Sequence, residues 1–133
     1  MGLDMYLEGH KHLFEDWDNP ERNMMEDGYR VKERILALGY WRKHPNLHGY
    51  IVQTFADGKD ECQDIALSSE DIDKLIAAVK ERRLPHTAGF FFGKSDGTED
   101  EMTVDIAILK KAKAWLSNQQ KGESRYVVYR ASW

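Results

Sequence analysis

A chain of 133 residues is long enough to bury a core of its own and short enough to form one domain, expected over residues 1–133. With 41% hydrophobic and 11% aromatic residues it is not a disordered chain, and its formal charge of −4 excludes a surface that is basic throughout. A lone cysteine, Cys62, excludes an internal disulfide framework and fits a reducing compartment. The start lacks the features of a secretory signal, and no run nears the ~20 apolar residues that span a bilayer, so a cytoplasmic protein with no membrane partner is expected.

In Gly2 to Leu7, Leu3, Met5 and Leu7 alternate with Asp4 and Tyr6, the pattern of a short strand with Asp4 on its polar side. His10 and His12 follow on one side of an extended chain. Two imidazoles do not complete a zinc site and no second pair follows, so neither a metal nor another cofactor is expected. Phe14 and Trp17 read as the anchors of an acidic loop. Asn19-Pro20 suits a helix N-cap with proline at the first position, and Met24, Gly28, Val31, Ile35 and Leu38 recur at helical spacing up to Gly39. That pattern predicts a first helix delivering the chain to Trp41.

Gly49 to Phe55 sets Tyr50, Val52 and Thr54 against Ile51, Gln53 and Phe55, which predicts a strand. Ala56-Asp57-Gly58-Lys59 is a turn signal, and Cys62 to Leu67 supplies the returning strand of a hairpin near residues 49–67. Ser68 with Asp71 resembles a capping box, opening a helix whose stripe is Ile72, Leu75, Ile76 and Val79 and which stops near Leu84-Pro85. The phenylalanines between Gly89 and Gly93 form a short buried strand or plug; a binding role needs one ring, by alternation Phe91, to face a cleft.

Gly93-Lys94-Ser95-Asp96-Gly97-Thr98 lacks the residue order of a phosphate-binding loop. Thr98 with Glu101 instead caps a third helix with the stripe Val104, Ile108, Ala112 and Trp115. Arg125 to Trp133 alternates as a terminal strand. The whole is an α+β domain, with about three helices packed against a mixed or mainly antiparallel sheet.

Chemistry concentrates where the predicted first helix meets the hairpin. Trp41 offers a stacking face, Arg42 paired hydrogen bonds to a carboxylate or phosphate, Lys43 a mobile positive charge and His48 a proton exchanged near neutral pH. Asp4 and the Gly89, Phe91 and Gly93 loop complete the candidate site. Facing strands of the hairpin would bring Cys62 and His48 within reach of a thiolate–imidazole pair, but a mostly buried, inert Cys62 is the favoured reading. A protein partner or an anionic small ligand fits this inventory. Nucleic acid would be contacted only at Arg42 and Lys43, and the acidic runs on both sides weigh against it.

Several separated blocks together carry a resemblance: Gly2 to Leu7, Tyr40-Trp41-Arg42-Lys43 with His48, Cys62, and Leu84-Pro85 with Gly89-Phe90-Phe91-Phe92-Gly93. They resemble a family of small uncharacterised bacterial and bacteriophage proteins. Some similar sequences carry a phosphoglycerate-kinase label, which does not fit a chain too short for that two-lobed enzyme. The resemblance implies a phage-related binding or interaction protein. The alternative drawn from the residues is a small enzyme acting on an anionic molecule in a cleft containing Arg42, Lys43 and His48.

Overall fold

The computed structural model describes residues 2–89 and 92–133, so Phe91, the ring expected to face a cleft, lies outside the described residues. Strands β1 (Asp4–Leu13), β2 (Met25–Glu26), β3 (Tyr29–Arg30) and β4 (Glu33–Arg42) come first. Helix α1 (Pro45–Phe55), strand β5 (Ile65–Leu67), helices α2 (Ser69–Lys80) and α3 (Glu99–Ser117) and strand β6 (Glu123–Ser132) follow. One sheet has the order β4-β1-β6-β5 with every pairing antiparallel, and β2-β3 form a separate ribbon. Among the described residues three α-helices and an antiparallel sheet form, the α+β class that the residue pattern predicts.

The alternation expected at the N terminus continues through β1 and decides which face of the sheet is covered. Met5, Leu7 and Gly9 of β1 and Val127, Tyr129 and Ala131 of β6 are buried on one face, while Tyr6, Glu8 and Arg130 lie opposite. Ile51 of α1, Ile72 and Leu75 of α2 and Leu109 of α3 join that buried face in a single core. Each such side chain withdrawn from water contributes about 1.5–3 kcal/mol, so this helix-covered face is what holds the layers together. Among the described residues no helix is long and apolar enough to cross a membrane.

The capping box at Ser68 forms in full, and the one read at Thr98 and Glu101 forms only its N-cap half. The Ser68 hydroxyl accepts from the Asp71 amide while the Asp71 carboxylate accepts from the Ser68 amide, and Thr98 Oγ1 accepts from the Glu101 amide. The terminal strand also forms, and it is central, between β1 and β5.

The predicted first helix does not form. Asn19-Pro20 opens only the 3-10 turn Pro20–Arg22, because Asp27 and Gly28 at φ 52° and 85° make a two-residue turn joining β2 to β3. Residues 33–42 then extend as β4, held to β1 from Asp4↔Arg42 to His12↔Glu33 with a register shift at Leu7/Glu8. The hairpin near residues 49–67 does not form either. Gly49 to Phe55 belongs to α1, and only Ile65–Leu67 of the predicted return strand pairs with the sheet, next to β6. The helix wins because Leu47, His48, Ile51 and Val52 fall on one face and are buried together, a gain an edge strand would not provide. Nor do Phe14 and Trp17 anchor a loop, since Trp17 is 80% exposed and Phe14 is exposed too.

Candidate functional site

The turn from β4 into α1 sets up the site. Lys43 takes the left-handed conformation, φ 54°, and its amide donates to Leu3 O at 2.8 Å, ending β4 and swinging His44 inward. Pro45 at the first helical position needs no amide partner, so His44 stands at the N terminus of α1 with its ring free to bond elsewhere. Gly93 sits against this turn at φ 74°. A Cβ there would lie 2.8 Å from Lys43 Cβ, so the 93–98 loop passes β4 as closely as it does only with glycine at that position.

His44 is 3% exposed and uses both ring nitrogens. Its Nε2 lies 2.7 Å from Asp105 Oδ2, and its Nδ1 lies 2.7 Å from Ser95 Oγ. A carboxylate accepts only, so Nε2 carries a proton, and in the neutral ring the Ser95 hydroxyl donates to Nδ1. Ser95 Oγ in turn accepts the Asn46 amide at 3.1 Å, capping the N terminus of α1 from a distant loop. Trp41 Nε1 donates to the other oxygen of Asp105 at 2.8 Å, so the carboxylate, 2% exposed, is held on both sides. This is how a charged residue is retained inside the fold.

Glu101 converges on the same place. It lies one turn before Asp105 on α3, and its Oε1 is 3.6 Å from His44 Nε2. It does not complete a reciprocal capping box; its oxygens accept the Asp96 and Gly97 amides at 2.8 and 3.2 Å. The carboxylate therefore orders the loop that carries Ser95.

Beside these groups lies a cavity of about 160 Å³. His44, Glu101 and Asp105 form its polar side, Val79, Leu84 and Met102 its apolar side, and Arg82 reaches it from the end of α2. A more open groove on the other side of the same polar groups is lined by Trp41, Arg42, Asp100 and Val104. Ser95 opens in a third direction, onto a cavity of about 130 Å³ that it shares with Lys94, His86, Gly89 and Gly93.

The residues expected to form the site are distributed differently. Trp41 and Arg42 line the open groove. Lys43 packs on Gly93, and Gly89 and Gly93 line the third cavity. Asp4 lies on the opposite, solvent-facing side of the sheet, where its carboxylate accepts from the Tyr40 hydroxyl and lies 4.0 Å from Arg42. His48 is 2% exposed, between the Tyr129 hydroxyl and Asp60, and edge-on to Phe92 and Trp133. Cys62 is exposed in a turn at φ 57°, so the facing strands that would have paired it with His48 do not exist.

Residue pattern alone does not single out His44, Ser95, Glu101 and Asp105 as site residues. Their signals are present but weak in isolation. Glu101 and Asp105 are four residues apart, hence on one face of a helix, and His44 precedes a proline at a helix start. No family model, curated protein or solved structure matches the chain.

Proposed function

We propose that this chain is a small binding protein whose ligand enters the cavity between α2, the start of α1 and the start of α3. The observation that carries this reading is the convergence of buried His44 and Asp105 with Glu101 on one side of a cavity whose other side is apolar. Concave sites with an apolar wall and a few fixed polar groups are where small molecules bind. Val79, Leu84 and Met102 would take the body of the ligand and His44 and Glu101 its polar end. The expected phage-related interaction role is compatible with such a site and belongs to the same proposal.

The test is a titration of isotope-labelled protein with small carboxylates, phosphates and amines, followed by amide chemical shifts. Changes confined to Asn46, Gly97, Glu101 and Met102, abolished in a folded Met102→Trp variant, support the cavity. Changes elsewhere, or none across the panel, overturn it.

A second reading rests on the chain Ser95–His44–Asp105, in which a hydroxyl, an imidazole and a buried carboxylate are linked in the order used by serine hydrolases. His44 would take the Ser95 proton as Ser95 attacks an ester carbonyl, and Asp105 would hold the imidazolium. The proton would pass to the departing alkoxide as the ester C–O bond breaks, and water would then release the acyl group from Ser95. Turnover of an activated ester lost in Ser95→Ala, with ligand-induced shifts retained, would select this enzyme reading over binding alone.

A further inference from the structure

We propose that His44, Glu101 and Asp105 form a binding site for a divalent first-row transition metal, with an open coordination position facing the cavity. This deepens the ligand-binding reading above and rests on it for what the open position would meet.

One ligand atom from each residue lies within 4.8 Å of the other two. Bonds of about 2.0–2.2 Å to nitrogen and oxygen place neighbouring ligand atoms roughly 3–3.5 Å apart. The 2.7 Å between His44 Nε2 and Asp105 Oδ2 therefore widens slightly and Glu101 Oε1, 3.6 Å from Nε2, turns inward. The imidazole changes tautomer as the metal takes the Nε2 lone pair: the ring proton moves to Nδ1, which donates to Ser95 Oγ. No net proton is lost from a neutral ring.

Three features go beyond a chance grouping of acids. First, each ligand has an outer partner that fixes its direction: Ser95 for His44, Trp41 Nε1 for Asp105, and the Asp96 and Gly97 amides for Glu101. Such partners are the ordinary outer shell of a metal centre. Second, two carboxylates approach one imidazole nitrogen in a place where Asp105 is 2% exposed, and a dication offsets the charge this concentrates. Third, the group is half-enclosed, three protein ligands beside a cavity, as in metal sites that keep a position for substrate or water. The imidazole favours zinc or iron over magnesium, calcium and manganese. A metal also changes the ligand class: two bare carboxylates would repel an anion, whereas a bound dication would accept a carboxylate or phosphate oxygen from the cavity.

Metal-stripped full-length protein titrated with zinc chloride in a non-coordinating buffer, followed by calorimetry, tests the site. One equivalent is expected, bound at least tenfold more tightly than magnesium. Glu101→Gln, which keeps an oxygen for the loop amides, should weaken binding at least tenfold, and Ser95→Ala about tenfold through the imidazole. Should His44→Ala not fold, as judged by circular dichroism, Glu101→Gln decides. No stoichiometric uptake overturns the proposal. So does zinc binding that survives Glu101→Gln and is lost in His12→Ala, which would place it on the exposed strand face. Amide shifts with small ligands in metal-free protein that takes up no zinc would leave the cavity reading standing and remove the metal. Zinc uptake that depends on Glu101, without any ligand response, would do the reverse.

Discussion

The Tyr129 hydroxyl lies 2.6 Å from His48 Nδ1, and the other ring nitrogen of His48 lies 2.9 Å from Asp60 Oδ2. Burial, reinforced by the Asp60 charge, pushes the Tyr129 phenol far above its ordinary range. Tyr129 therefore stays protonated and donates to Nδ1, while Nε2–H donates to Asp60. The relay joins β6 to α1 and to the chain after it. Tyr129→Phe keeps the ring and leaves a buried nitrogen without its donor, for an expected loss of about 1–3 kcal/mol in denaturant unfolding. An unchanged midpoint would mean that the pair contributes nothing.

Trp133 closes the same pocket from the end of the chain. Its ring centroid is 5.8 Å from His48 and 5.6 Å from Phe92, both edge-to-face. Such aromatic pairs are each worth about 0.5–1.5 kcal/mol beyond their buried area. Trp133→Ala, or removal of Ser132 and Trp133, is expected to lower the thermal midpoint by several degrees. Equal melting curves for the full-length and shortened chains would exclude a structural role for this ring.

Gly49 lies within α1, where alanine is intrinsically the better helix former by about 0.8–1.0 kcal/mol. Its added Cβ, however, would stand 2.0 Å from Thr87 Oγ1 and 2.8 Å from Thr87 Cβ. Thr87 cannot easily retreat, because its amide donates to Asn46 Oδ1 at 3.0 Å. Overpacking of this kind costs about 1–3 kcal/mol, so Gly49→Ala is expected to destabilise despite the better propensity. The loss should shrink in a Thr87→Ala background; a stabilised single variant would show that the 86–89 segment yields freely.

On the solvent-facing side of the sheet, hydrogen bonds from Tyr126 and then from His10 hold the Glu33 carboxyl below its ordinary range. A carboxyl lowered in the folded state stabilises it above the unfolded value. That contribution is lost as pH falls through the folded value, so the sensitive window begins in the ordinary carboxylate range and extends below it. Glu33 is solvent-accessible, and the effect on stability is small. Titration by NMR should place Glu33 higher in Tyr126→Phe than in the parent protein, and coincident curves would assign the shift elsewhere.

Locally encoded elements were legible in the sequence. The capping box at Ser68, the N-cap half of the one at Thr98 and the stripe of α2 depend on residues three or four apart, and these form as read. The alternation of β1 and β6 likewise identifies strands before any partner is known. The Asp27-Gly28 turn was also written in the chain, but a helical spacing through Met24, Val31 and Ile35 competed with it. Ile35 is exposed and never belonged to an apolar stripe. What makes 33–42 a strand is its pairing with β1, some 30 residues away in sequence, and propensity within a short window does not contain that interaction.

The candidate site lay further out of reach. Chain length, charge, the single cysteine and the α+β pattern follow from residue identities alone, and the stretch from Trp41 to His48 was already marked as chemically dense. Tertiary structure decided which of its histidines faces a cavity. His48 turns toward Tyr129 and Asp60 in the interior, whereas His44, one helical turn earlier, meets Ser95, Glu101 and Asp105 across 51 to 61 residues of chain. That convergence depends on the Lys43 turn, the start of α1 and the packing of α3 against the sheet, and only the assembled fold brings these together.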